Sequence, residues 1–412
     1  MVEAYRALKS NWLFLMKRVR RTRLTLNRFL PWLTLLCSIL LFGLHFFLGG
    51  GRTKLINDSR AYLVMTEGNR AGTPFDSRVL APFIASLITF ASGASSLTAF
   101  HVLTITSFIA SLLLLRKIVA NRGAPVYWQA GVLLAIGCAL AATFGDVPVM
   151  ADLPLLVLTC LTVLAVGRSE WFRVLVFSFL AALTKEYGIL LAVISSVIFW
   201  RRGHKRLAVA GTLLPTVVLL FTILMGSKSS GSTPDAWHNF INAMLAYHPY
   251  LFHFRGPWEY LQLLYMWSWS VLWPVLIIAA LIVFSRLQSG TRMSDHEIGL
   301  ALMLIALPFL LLGDWGRAVL IVVPFACAVA TSHSLARSRQ FAALLAIGGL
   351  STALARPFHS ETPPPHLLML SFAAISLVST VFIGMKILRF VASTSSPQIK
   401  RALDTPETEV AV

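Results

Sequence analysis

The stretch from Phe172 to Trp200, FRVLVFSFLAALTKEYGILLAVISSVIFW, decides the fold. It is apolar except for Arg173 at its start and Thr184-Lys185-Glu186 in its middle. As one transmembrane helix it would bury a Lys and a Glu at mid-membrane, at roughly 2.5–3.5 kcal/mol each on insertion scales. As two short helices joined at Lys185-Glu186-Tyr187-Gly188, it carries both charges to the opposite surface. The flanks favour the second arrangement. Arg168 and Arg173 stand on one side, and Arg201, Arg202, Lys205 and Arg206 on the other. Lys and Arg concentrate in cytoplasmic segments, so both flanks belong to one side and the chain goes out and comes back.

Composition agrees. The chain is 57% hydrophobic and 13% charged, with mean hydropathy +0.75, whereas soluble domains are about 45–50% apolar and about 25% charged. The expected fold is an all-α polytopic membrane protein. A net charge of +18 would suggest nucleic acid in a soluble protein; here the positive-inside rule accounts for it, and no nucleic-acid partner is expected. Cys37, Cys138, Cys160 and Cys327 lie in apolar runs without paired spacing and read as small buried hydrophobes. P-loop, dinucleotide glycine, zinc and nucleophile-elbow patterns are absent from the sequence.

Residues 1–30 form a basic, partly amphipathic cytoplasmic segment, 31–390 a single transmembrane domain, and 391–412 a disordered cytoplasmic tail. Spans are expected near 31–49, 97–115, 126–145 and 152–166, then the two hairpin arms. Others follow near 207–225, 263–284, 298–312, 318–333, 341–354 and 367–388. This gives about twelve transmembrane helices, with 79–92 kept outside as a surface helix of the first outer loop and both termini cytoplasmic. On that topology 25 of the 35 Lys and Arg and 7 of the 17 acids are inside. The whole net charge then lies on the inner side, and the outer segments are neutral. If 79–92 crossed, this sorting would collapse.

The first outer loop contains the most polar stretch, INDSRAYLVMTEGNRAGTPFDSRVLAP (56–82), with Asp58, Glu67, Asp76, Arg60, Arg70 and Arg78. Charges recur at the outer mouths of later helices: Asp146 and Asp152, Lys185 and Glu186, Asp314 and Arg317. Ionisable groups at membrane depth are functional candidates. Each also has a plainer role. Asp58 fits a helix cap, Arg78 a lipid anchor, and Asp146 a turn. Asp152, just before Leu153-Pro154, fits an N-cap. Lys185 and Glu186 fit a mutually neutralising solvated turn, and Asp314 with Arg317 an ion-paired one. His238, His248 and His253, in an aromatic loop over 227–262, lack a metal-ligand spacing, so no metal site is expected.

PFDSRVLAP (74–82), GDVPVMADLP (145–154), LTKEYGILL (183–191) and GDWGRAVLIVVP (313–324), after the acid in the first loop, together resemble the C-type superfamily of integral membrane glycosyltransferases. The similarity is to bacterial members related to protein mannosyltransferases and lipid-linked sugar transferases. It implies a polyprenyl-phosphate sugar donor, a lipid or glycan acceptor, a site on the non-cytoplasmic face and residence in a bacterial inner membrane. The chemistry asks for a carboxylate base and for cations on the departing phosphate. Asp58 is the candidate base, with Asp76 as the alternative and Asp146 beside it as a second catalytic acid. Arg78, Lys185 and Arg317 would meet the phosphate. Asp152, Glu186 and Asp314 would bind sugar hydroxyls or orient those cations. No cofactor is required, although a divalent cation is compatible. The rival is a transporter or flippase, for which inverted repeats would be the signature; none is visible.

Overall fold

The computed structural model describes residues 29–47, 57–69, 78–145, 148–185, 188–229, 273–314, 319–332, 338–355 and parts of 371–387, with backbone alone at a number of them, Asp58 and Asp314 included. Every regular element among them is a helix. In order these are α1 Phe29–Phe47, α2 Asn57–Thr66, α3 Leu80–Ser92, α4 Ser96–Asn121 and α5 Val126–Phe144. Then come α6 Asp152–Gly167, α7 Trp171–Thr184, α8 Gly188–Arg201 and α9 Lys205–Ser229. After these come α10 Trp273–Gln288, α11 Asp295–Asp314, α12 Val319–Ala330 and α13 Arg339–Ala355, and residues 381–387 are helical as well. Three of them, α1, α4 and α5, are long and apolar enough to cross a membrane, and shorter apolar helices accompany them. The chain is a helical membrane protein.

The Phe172–Trp200 stretch is broken where its charges predict. Helix α7 stops at Thr184, and Lys185 takes an extended backbone, φ −162° and ψ 153°. The turn closes with the Gly188 N–H donating to the Lys185 carbonyl at 2.8 Å. Gly188 is required there, because a Cβ would lie 1.9 Å from the Ala181 carbonyl oxygen. The arms are antiparallel: Trp171, which opens α7, meets Phe199, near the end of α8, edge to face at 6.2 Å. Both basic flanks therefore lie at one end of the bundle.

Other connections gather at that same end. Arg122, after α4, bonds His296 of α11, whose ring reaches the Val163 carbonyl of α6. Arg201 and Arg202 hold Asp295, and Trp128 of α5 donates to Thr331 after α12 at 3.3 Å. Helices α5 and α13 pack most closely. A Cβ on Gly131 would sit 2.5 Å from the Ala342 carbonyl oxygen, and one on Gly349 would sit 2.5 Å from Ala135 Cα. Small residues that let backbones approach are how helices associate where lipid is as apolar as leucine.

Two expectations change. The polar first loop is not all loop, since α2 forms within it at Asn57–Thr66. Helix α4 also continues through Arg116 and Lys117 to Asn121, with the Arg116 guanidinium 4.1 Å from the Trp32 ring centroid. Helix α3 forms within the expected 79–92 stretch, and its 13 residues make it a short apolar helix of nearly the same length as α7 and α8. Ala81, Pro82 and Ala85 face inward, while Phe83, Leu87 and Phe90 are exposed. The segment 1–28, the loop carrying His238, His248 and His253, and the tail 391–412 lie outside the described residues.

Candidate functional site

Helix α2 is held by long-range contacts. The Ser59 hydroxyl donates to the Val149 carbonyl, in the α5–α6 connection, at 3.1 Å. The Thr104 hydroxyl of α4 donates to the neighbouring Pro148 carbonyl. Tyr62, fully buried, sets its ring 6.0 Å from that of Phe100 on α4. α2 thus lies over the start of α4 and the connection leading into α6.

Two polar pairs meet beneath this arrangement of contacts. Arg78, two residues before α3 and itself buried, donates from Nη1 to the Tyr62 hydroxyl oxygen at 2.9 Å. Lys185 Nζ donates to Asp152 Oδ1 at 2.7 Å, with side-chain exposures of 0% and 1%. Asp152 is the first residue of α6, and Lys185 follows the last residue of α7. Each charge complements the dipole of the helix end that carries it. Burial pushes the Tyr62 phenol up to about 12, Arg78 and Lys185 pull it down, and Asp152 pushes it up. The four groups form one electrostatic unit, and the phenol keeps its proton throughout the neutral range.

The structure therefore brings together three predicted residues, Arg78, Asp152 and Lys185, from separate segments. Their plainer roles do not hold. Arg78 is buried on Tyr62, so it is not an exposed lipid anchor. The N-cap of α6 is Ala151, not Asp152. Lys185 is buried and ion-paired to Asp152, so its ammonium is not solvated. Asp58 is the second residue of α2, one turn ahead of Tyr62, and Asp314 ends α11. Asp76, Asp146, Glu186 and Arg317 lie outside the described residues.

Sequence reasoning passed over Tyr62. Its signal was helical spacing: an aromatic four positions after Asp58 in an otherwise polar stretch. Among the described residues, no three His, Cys, Asp or Glu side chains come together as a metal-binding group. No protein-family model matches this chain, and no curated protein or solved structure matches it.

Proposed function

We propose that this chain is an integral membrane glycosyltransferase. It moves a sugar from a polyprenyl-phosphate donor to a hydroxyl of a lipid or glycan acceptor. The site is the first-loop end of the bundle, facing away from the cytoplasm of a bacterial plasma membrane, with about twelve spans and both termini inside. The single observation carrying this proposal is the buried unit of Arg78, Tyr62, Lys185 and Asp152 packed against the helix that bears Asp58.

In the transfer, the acceptor oxygen bonds to the anomeric carbon while the bond from that carbon to the phosphate oxygen breaks. Asp58 takes the acceptor proton. The departing polyprenyl phosphate keeps the electron pair, and its charge meets Arg78 and Lys185, the former as a guanidinium fork suited to phosphate oxygens. The Tyr62 phenol supplies a hydrogen-bonding group that stays neutral. Asp152 positions Lys185. Asp146 is a second catalytic carboxylate, Glu186 and Asp314 serve sugar hydroxyls, Arg317 is a further cation, and Asp76 is the alternative base. Helix α3, with its exposed Phe83, Leu87 and Phe90, lies along the interface.

Lipid extracts of cells with and without the protein should differ in one glycolipid or surface glycan, which identifies the assay. In vesicles, Asp58→Asn is then expected to lose at least about 100-fold in transfer, the low end for a general base, with unchanged amounts of folded protein. Full transfer by Asp58→Asn would remove it as the base and bring Asp76→Asn to test. Vesicles that move the lipid-linked sugar across the membrane without transferring it would replace the enzyme by a transporter.

A further inference from the structure

The opposite end of the bundle contains two adjoining cavities of about 320 and 480 Å³. They are lined by Arg122, Arg168, Arg201, Arg202, Arg286 and Arg292. The carboxylates there are already engaged. Asp295 holds Arg201 at 3.1 Å and Arg202 at 2.8 Å. Glu297 completes a capping box at the start of α11, accepting from the Ser294 N–H at 2.6 Å while Ser294 Oγ accepts from the Glu297 N–H at 3.3 Å. It also lies 3.7 Å from Arg286, and Glu170 lies 3.9 Å from Arg168.

Two arginines remain without a carboxylate contact among the described residues, Arg122 and Arg292. Arg122 donates from Nη2 to His296 Nδ1, and His296 Nε2 meets the Val163 carbonyl at 3.1 Å. Because Nδ1 accepts, the ring proton lies on Nε2, and the buried His296 is a neutral acceptor that aims Arg122 without cancelling its charge. Arg292, exposed, makes no described polar contact. Both line the 480 Å³ cavity, beside the N-terminal turn of α11. Glu297 also lines this cavity, but the arginines outnumber it, and guanidinium forks around one volume suit an anion with several oxygens.

We infer that this cavity binds a phosphate group, carried either on an anionic lipid headgroup or on a small soluble phosphate. It is independent of the transfer site, from which the length of α6 separates it. The test uses the full-length protein in phosphatidylcholine nanodiscs. One arm titrates inorganic phosphate or pyrophosphate and follows the thermal midpoint. The other replaces part of the lipid with phosphatidylglycerol and counts the molecules retained by native mass spectrometry. A response in the first arm assigns a soluble phosphate, and one confined to the second assigns a lipid. In the responding arm, Arg122→Gln and Arg292→Gln should each weaken binding about tenfold, while Arg206→Gln, on an exposed residue of the same end outside the cavities, should leave it unchanged. Arg292 has no described partner to lose, so its variant tests the site even if Arg122→Gln misfolds. No response in either arm overturns the site. So does wild-type binding by Arg292→Gln, or an equal loss in Arg206→Gln, which would mean charge alone.

Discussion

Asp152, at the first residue of α6, is 1% exposed, and its lysine, 2.7 Å away, is 0% exposed. Asp295, close to the other end of the same helix, is nearly as buried at 5%, but its two arginines are 28% and 44% exposed. In the first pair both ions have left water. In the second the cations keep part of their hydration, and losing one leaves another in place. Breaking a buried pair by removing one partner is costly because the survivor is an uncompensated buried charge. Exposed pairs are worth little. Charge near the first loop is built to be brittle and exact in position, and charge at the arginine-rich end is built to be redundant.

The sharpest way to break this contrast is at the buried pair. Lys185→Met and Asp152→Leu should each destabilise the protein by about 3–5 kcal/mol, and the double variant should recover most of that loss. Thermal unfolding in detergent measures it. A double variant no better than the singles would show that the pair is not the source of the cost. Tyr62→Phe comes next. It removes the acceptor of the Arg78 hydrogen bond, at about 1.5–3 kcal/mol for a bond to a charged group. It should also alter the alkaline limb. The Tyr62 phenol is raised from 10.0 to about 12 in the folded state, so its contribution is complete below pH 10 and is lost as pH rises towards 12. Wild-type stability should fall over that window, and the Tyr62→Phe variant should lack that part of the fall. Arg202→Gln should have the smallest effect, under about 1 kcal/mol, because Arg201 still holds Asp295. A loss as large as that of Lys185→Met would erase the difference between the two ends.

The hairpin was legible because its evidence was local: four central residues, two basic flanks and a glycine. The partner of Lys185 was not, because Asp152 stands 33 positions away and Glu186 is adjacent. Proximity in sequence points to a local neutralising pair, whereas the contact to Asp152 comes from packing in the bundle. Asp152 was misplaced as a cap because Pro154 fits the first turn equally well when Ala151 is the cap. Helix α2 was hidden for a similar reason. Its ten residues, NDSRAYLVMT, carry no clear apolar stripe, and contacts from Ser59 to Val149 and from Tyr62 to Phe100 hold it. The capping box Ser294-Asp295-His296-Glu297 was readable before the apolar run that follows it, and it marks the start of α11 three residues ahead of the expected 298.

The arms of the hairpin are 14 residues each, about 21 Å of helix at ~1.5 Å per residue. On the proposed topology they cross a hydrocarbon layer of roughly 30 Å. Local thinning of the bilayer around a short span would meet that mismatch. Headgroups would then be drawn down towards Lys185, so that on the proposed function the donor's phosphate would meet it without leaving its own leaflet. On the proposed function, bilayer thickness becomes a control on transfer: the same protein in longer-chain lipid would hold Lys185 farther from a donor's phosphate.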